Sequence, residues 1–323
     1  MQFSDIQKCE ILLISLINLK RKANEHCQLL IYHKKSWLCI CLSALNQDLI
    51  LMTLIIVDQD LCTSCGICAK VCTTRIIELV EESNLPQVQE ANVLRCIKCG
   101  HCEVFCPSQA LILDLCPDEK VTLPEDVGDI STEDIGLYLK KRRSVRHFTK
   151  EPVPREKILE ILDIARYAAS GTNGQPVQWL VIHDPERVRK IAELTIEWMK
   201  SLVNTSHPMS GYVPSLISAW ENGNDVICRD APHLLFAHIP EENPIAAVDA
   251  IISLTHFDIT APAFGVGTCW AGFVAAAATS YVPLQKELGF PAGRKSAYAI
   301  LFGNPLYKIY GIPRRKSLEV MWQ

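Results

Sequence analysis

What the chain lacks narrows its class first. It has no basic excess: 32 Lys and Arg stand against 36 Asp and Glu, a formal net charge of −4. Such a surface has no stripe for neutralising phosphate backbones, so nucleic acid is not expected as a partner. It also lacks the charge-rich, apolar-poor composition of disordered chains, with 49% hydrophobic and 21% charged residues, which is ordinary globular usage. No basic start, apolar run and small-residue cleavage site announces a cleavable signal peptide, so a reducing, cytoplasmic setting is expected. Finally, no apolar run of membrane-spanning length is uninterrupted. Leu38 to Val57 approaches that length but carries Asn46, Gln47 and Asp48 near its middle, and a central Asp alone costs ~3 kcal/mol on insertion scales. Ile245 to Phe264 contains Asp249, His256 and Asp258, which favours a core helix over a membrane span.

The 323 residues suggest two or three domains at ~100–200 residues each. Residues 1–51 alternate short apolar runs with basic patches such as Lys20-Arg21-Lys22, without an amphipathic period. They are read as an unassigned extension with no fold; a membrane or organelle anchor there is the lesser alternative. Met52 opens a short β-type run into a first domain at 53–113. Residues 114–135, rich in Asp, Glu and Pro, read as a solvated linker. A second domain is expected over 136–323. There, Ile158, Ile161, Leu162 and Ala165 predict a helix over about 155–169. Trp179–Ile182, His233–Ala237 and Ala297–Phe302 predict short buried strands, giving an α/β or α+β fold.

Against these absences stands one excess, 15 cysteines, eight of which fall between Cys62 and Cys106. Cys62, Cys65, Cys68 and Cys72 have the spacing C-x2-C-x2-C-x3-C. Cys96, Cys99, Cys102 and Cys106 repeat it, with Pro107 following. Three thiolates on one tight loop each hold a corner of an iron–sulfur cubane, while the fourth points to the neighbouring cluster. Ligation is therefore expected to cross: Cys62, Cys65, Cys68 and Cys106 on one [4Fe-4S] cluster, and Cys96, Cys99, Cys102 and Cys72 on the other. Gly66 and Gly100 leave the loops unencumbered and open to positive φ. Structural zinc prefers two ligand pairs across a longer spacer, and disulfides would be reduced in the inferred compartment. The segment at about 53–113 resembles bacterial-type two-cluster ferredoxins, departing from them at Thr73, where a proline usually follows the fourth cysteine.

Clusters carry single electrons and do little chemistry alone, so the second domain should show where the electrons go. Arg142-Arg143-Ser144-Val145-Arg146 offers guanidiniums and a hydroxyl suited to phosphate, although a solvated basic face reads as well. Ala168 to Pro176 combines small residues with the amides of Asn173 and Gln175 before a strand, suited to a flat ring or simply to a polar turn. Taken in order with Phe264-Gly265-Val266-Gly267-Thr268-Cys269-Trp270-Ala271-Gly272 and the C-terminal Pro313-Arg314-Arg315-Lys316, these pieces resemble the FMN-dependent nitroreductase superfamily.

That resemblance covers roughly 137–323. It implies an α+β fold, a homodimer with helices packed across the interface, and FMN between subunits. It assigns the FMN phosphate to Arg142, Ser144, Arg314 and Lys316 with Arg143 nearby, and the pyrimidine edge of the flavin to Arg146. Asn173 should contact the ring, with Gln175 in the same loop, and backbone amides around Ala271 and Gly272 should face the flavin N5 edge. No residue is assigned as a dedicated acid or base, since the chemistry lies on FMN. Gly265-Val266-Gly267 lacks the third glycine and the preceding strand of a dinucleotide fingerprint. Cys269 reads as a packed thiol, and His233 and His256 as structural. Residues 196–230, with Trp198, Met199, Tyr212 and Trp220, match no motif; the resemblance makes them a cover over the flavin, and ordinary packing is the alternative.

The expected activity is an iron–sulfur flavoprotein oxidoreductase reducing a small aromatic or quinone-like acceptor. The donor is left open between NAD(P)H and an electron-carrier protein. The alternatives are a dehalogenase or enoate-type reductase of the same superfamily, and a non-enzymatic electron-transfer or redox-sensing protein.

Overall fold

The computed structural model describes residues 55–113, 123–124 and 128–323. The expectations for residues 1–51, and much of the linker, lie outside these described residues. One compact unit, Val57–Gln323, holds the cysteine-rich segment from Val57 onward together with everything C-terminal to it.

The cysteine-rich segment is built from short pieces. They are β1 (Ile55–Val57), α1 (Ile67–Val71), β2 (Ile77–Leu79), β3 (Pro86–Val88), a 3-10 turn at Glu90–Arg95, α2 (His101–Val104) and β4 (Leu111–Leu113). β2 pairs antiparallel with β3, Ile77 opposite Val88, and β1 pairs with β4. The core is small, with Ile76, Ile77, Ala110, Leu111 and Leu113 buried. Strands this short do little to hold a domain by their ladders. The duplication seen in the spacing recurs in the backbone. Gly66 and Gly100 both enter their helices in the left-handed region, at φ 70° and 74°. Ser64 and Lys98 share φ near +54°, as do Arg75 and Gln109.

The remainder is an antiparallel sheet sheathed by helices. Its elements are α3 (Thr132–Lys141), α4 (Arg155–Ala165), β5 (Gln178–Ile182), α5 (Pro185–Leu202), α6 (Val213–Glu221), β6 (His233–Pro240), α7 (Ala246–Thr260), β7 (Gly267–Trp270), α8 (Gly272–Ser280), α9 (Val282–Leu288) and β8 (Arg294–Gly303). The strand order is β5-β6-β8-β7, with every pair antiparallel. Both faces are covered, which is why the central strands read as unbroken apolar runs. Leu234 and Phe236 of β6, with Ala299 and Leu301 of β8, pack against α5 and α8. Leu235, Ala237, Ile300 and Phe302 point the other way, against α4 and α7.

Several boundaries differ from the sequence reading. α3 begins at Thr132, inside the stretch assigned to the linker, because Ser131 Oγ caps it by accepting the Asp134 N–H. α4 stops at Ala165. The long apolar run from Ile245 divides into α7 and a 3-10 turn at Ala261–Phe264, closed by Gly265 at φ 74°. β7, only four residues long, was not anticipated. Residues 196–230 include core: Trp198, Met199, Val213 and Cys228 are buried. His233 and His256 are structural as read. His233 Nε2 accepts the Val153 N–H at 2.8 Å and Nδ1 bonds the His183 carbonyl at 3.1 Å; His256 Nδ1 bonds the Ile252 carbonyl at 3.0 Å.

Candidate cofactor sites

The two cysteine runs fold so that their members exchange partners. A cavity is lined by Cys62, Cys65, Cys68 and Cys106, three members of the first run and the last of the second. Electrostatics repeats the division. Burial pushes the Cys68 thiol up, and Cys65, Cys106 and Cys62 add to the shift. Burial pushes Cys102 up to about 12, reinforced by Cys96, Cys99 and Cys72. Clustered, desolvated thiols disfavour the thiolate form unless a cation balances them.

The fourth cysteines have a different setting, and the two match. Burial works to raise Cys72 and Cys106, but both lie below the ordinary thiol value. Around Cys72 the Ile76 and Thr74 amides and the Thr74 hydroxyl outweigh burial. Around Cys106 the Ser108 hydroxyl and the Ala110, Leu111 and Ser108 amides do the same. Hydrogen bonds to sulfur are a lever on cluster potential. Among the described residues, no three His, Cys, Asp or Glu side chains converge on a single metal ion. The thiols lie in two foursomes.

The arginine run leads into the edge of the sheet. Ser144 forms a parallel bridge to Thr268, and the Val145 N–H donates to the Thr268 carbonyl at 2.8 Å. This approach requires Gly267, where a Cβ would lie 2.6 Å from Val145 Cγ2. Arg142 pairs with Asp258 of α7 at 3.4 Å. The same carboxylate accepts from Trp270 Nε1 at 3.0 Å and from Thr268 Oγ1. Arg142 Nη1 is nevertheless buried without a hydrogen-bond partner. Desolvation, then the like charges of Arg315 and Arg142, hold the Arg143 guanidinium below the ordinary arginine value. A guanidinium nitrogen that has an ion partner but no hydrogen bond, beside mutually repelling cations, fits an anion rich in acceptor oxygens, as a phosphate ester is.

Other assigned residues are placed differently. The Ala271 N–H is consumed by the Ala299 carbonyl at 2.9 Å, which corrects the expectation that it faces a ligand; Gly272, the first residue of α8, remains. Asn173 Nδ2 donates to the Ile97 and Lys98 carbonyls, and Gln175 Nε2 donates to Asn173 Oδ1. Arg314 and Lys316 lie on the exposed C-terminal segment, and the adjacent Arg315 is the member felt by Arg143. Arg146 lies near Cys269, whose thiol burial raises while Arg146 and Arg229 oppose the rise; Cys269 is buried, as a packed thiol should be. Sequence reasoning missed Arg315 and Asp258. A buried acid in an apolar helix was the available signal for the second.

Comparisons with known proteins bear on both parts. The nitroreductase family model matches residues 139–304, and a 4Fe-4S dicluster domain matches residues 61–111. Iodotyrosine deiodinase 1 of Rattus norvegicus is 35% identical over 74 residues, 23% of this chain and 26% of the relative. An NAD(P)H FMN reductase of Bacillus subtilis is 41% identical over 56 residues, 17% of this chain and 22% of the relative. The matched stretches thus span about a quarter of the length of these curated relatives. A solved nitroreductase with bound FMN from Desulfitobacterium hafniense aligns over 58% of this chain and 97% of its own, with 20% identity and TM-score 0.48. Since the family model spans just over half of the 323 residues, the chain belongs to the nitroreductase family and carries a 4Fe-4S dicluster ferredoxin domain ahead of its α+β domain.

Proposed function

We propose that the protein is an iron–sulfur flavoprotein oxidoreductase that passes electrons through two [4Fe-4S] clusters to FMN and reduces a small nitroaromatic or quinone-like acceptor. One observation carries this reading: a single compact unit holds two crossed cysteine foursomes and the cationic cluster of Arg142, Arg143 and Arg315. When bound, the clusters supply single electrons and FMN converts them into a pair, chemistry that belongs to the cofactors.

The chain's residues hold and tune these groups. Cys62, Cys65, Cys68 and Cys106 hold one cluster, and Cys72, Cys96, Cys99 and Cys102 the other. Arg142, Arg143 and Ser144, with Arg314, Arg315 and Lys316, bind the phosphate. Arg146 would supply a cation to the electron-rich ring, the Gly272 amide would be a donor to it, and Asn173 and Gln175 would shape the loop beside it. A homodimer is supported by apolar side chains left in solvent: Leu137 and Leu139 on α3, Val248 and Ile251 on α7, and Tyr310 and Trp322 on the C-terminal segment. Among the described residues no helix is long and apolar enough to cross a membrane.

Anaerobic stopped-flow mixing tests the proposal. Protein reduced by a chemical one-electron donor should be reoxidised by nitroaromatics or quinones with product formed. Reduced protein that no such acceptor reoxidises would refute it. Likeness to a deiodinase makes reductive dehalogenation the second reading, scored by halide release from a halophenol. Reduction of the flavin by NADH in cluster-depleted protein would identify a nicotinamide donor.

A further inference from the structure

One side chain ties the Cys96–Cys99 loop to the loop from Ser170 to Gln175. Both hydrogens of the Asn173 carboxamide are committed: Nδ2 donates to the Ile97 carbonyl at 3.1 Å and to the Lys98 carbonyl at 2.9 Å. Its Oδ1 accepts from Gln175 Nε2 at 3.3 Å.

The loop presenting Asn173 is rigidly held. Thr172, Asn173 and Gln175 all sit in the left-handed region, at φ 51°, 54° and 43°, a conformation non-glycine residues keep only where their surroundings enforce it. Here Asp249 Oδ1 accepts the Gly171 N–H at 2.9 Å and Ser170 Oγ accepts the Gln175 N–H at 3.0 Å. Arg294 Nη2 holds the Pro176 carbonyl at 2.7 Å. A Cβ at Gly171 would strike Ile245 Cδ1, so the loop is pressed against the start of α7.

The receiving side reaches a cluster ligand. The Ile97 carbonyl and the Lys98 N–H belong to one peptide unit, and that N–H lies 3.3 Å from Cys96 Sγ. Asn173 therefore sits one conjugated peptide away from a cysteine sulfur. A hydrogen bond to a carbonyl polarises its peptide and strengthens the N–H at the other end, and N–H groups aimed at cluster sulfurs raise the reduction potential. Asn173 has no hydrogen left for the Thr63 and Ser64 carbonyls, the counterparts of Ile97 and Lys98 in the first loop.

We infer that Asn173 is a positioning residue that locks the Cys96–Cys99 loop onto the Ser170–Gln175 loop. It makes the foursome of Cys72, Cys96, Cys99 and Cys102 the inner one, adjoining the flavin loop, and that of Cys62, Cys65, Cys68 and Cys106 the outer one. This rests on the functional reading above for the identity of the bound groups, and on geometry alone for the tie.

The test uses the full chain, purified anaerobically with iron, sulfide and FMN supplied, as wild type, Asn173→Ala and Asn173→Asp; Asp keeps the size and removes both donors. Cys99→Ser and Cys65→Ser identify which spectroscopic signal belongs to which cluster. Hydrogen exchange in the peptide covering Arg95–His101 should speed about tenfold in both Asn173 variants, while Leu61–Ile67 stays unchanged. In EPR-monitored titrations, the midpoint potential should fall only for the cluster whose signal Cys99→Ser removes. Equal change at both loops, no change at either, or a shift confined to the other cluster would overturn the inference while leaving the functional reading intact. A preparation without iron would overturn both.

Discussion

Asp258 is the residue whose removal the structure prices most fully. Its buried carboxylate faces Arg142 at 3.4 Å, accepts from Trp270 Nε1 at 3.0 Å and accepts from Thr268 Oγ1. It thereby joins α7, β7 and the arginine run. Asp258→Ala leaves the Trp270 indole N–H without its partner, at about 1–3 kcal/mol, and strands the Arg142 charge. Breaking a fully buried pair costs about 3–5 kcal/mol. Arg142 is 27% exposed, so water offsets part of that loss. The terms share one carboxylate and do not add, giving about 3–4 kcal/mol, or about 10 °C in melting temperature for a domain of this size. Thermal unfolding followed by circular dichroism at neutral pH measures it. Asp258→Asn keeps an acceptor for Trp270 and should lose roughly half as much. Adding Arg142→Met to Asp258→Ala should recover part of the loss, because no stranded charge remains. A melting temperature for Asp258→Ala within about 2 °C of wild type would refute the reasoning.

Gly267→Ala places a methyl against Val145 Cγ2 and Pro305 Cγ; it should cost about 1–3 kcal/mol, and Val145→Ala in the same chain should restore part of the denaturant midpoint. Burial, then His183, lowers His233 to about 4, so the folded protein holds it neutral while the unfolded chain protonates it near 6.5. That contribution is fully present above about pH 6.5 and is lost as pH falls toward 4, worth about 3 kcal/mol for this fully buried ring; melts from pH 7.5 to 4.5 should be flatter for His233→Gln than for wild type. Arg142→Ala and Arg315→Ala should each weaken FMN binding by about tenfold or more, read by fluorescence titration, and raised salt should shrink the Arg315 effect more than that of the better-buried Arg142. Cys106→Ser should abolish the same EPR signal as Cys62→Ser and leave that of Cys96→Ser intact, with iron falling from about eight to about four per chain; loss of the Cys96-dependent signal would show that ligation does not cross.

Much of this was legible because the chemistry is local in sequence. A cubane ligand loop needs its thiolates at fixed short offsets, so Cys62 to Cys72 and Cys96 to Cys106 announce themselves before any fold is known. Buried strands with both faces covered, such as β6, appear as unbroken apolar runs. What escaped depends on contacts distant in sequence. β7 is too short to show a period and exists because Val145 and β8 flank it. The end of the linker was set by a single cap at Ser131. The commitment of the Ala271 amide to Ala299, of Asp258 to Arg142, and of Asn173 to Ile97 and Lys98 are tertiary choices that no spacing encodes. In the Asn173 case, motif order gave no sign that both amide donors go to the neighbouring cysteine loop.

Cofactor stoichiometry tests the central claim most directly. Protein expressed with iron, sulfide and flavin in supply and purified without oxygen should carry about eight irons, about eight acid-labile sulfides and about one FMN per chain, since each foursome builds a four-iron cubane. A colourless preparation free of iron and flavin under those conditions would contradict the account.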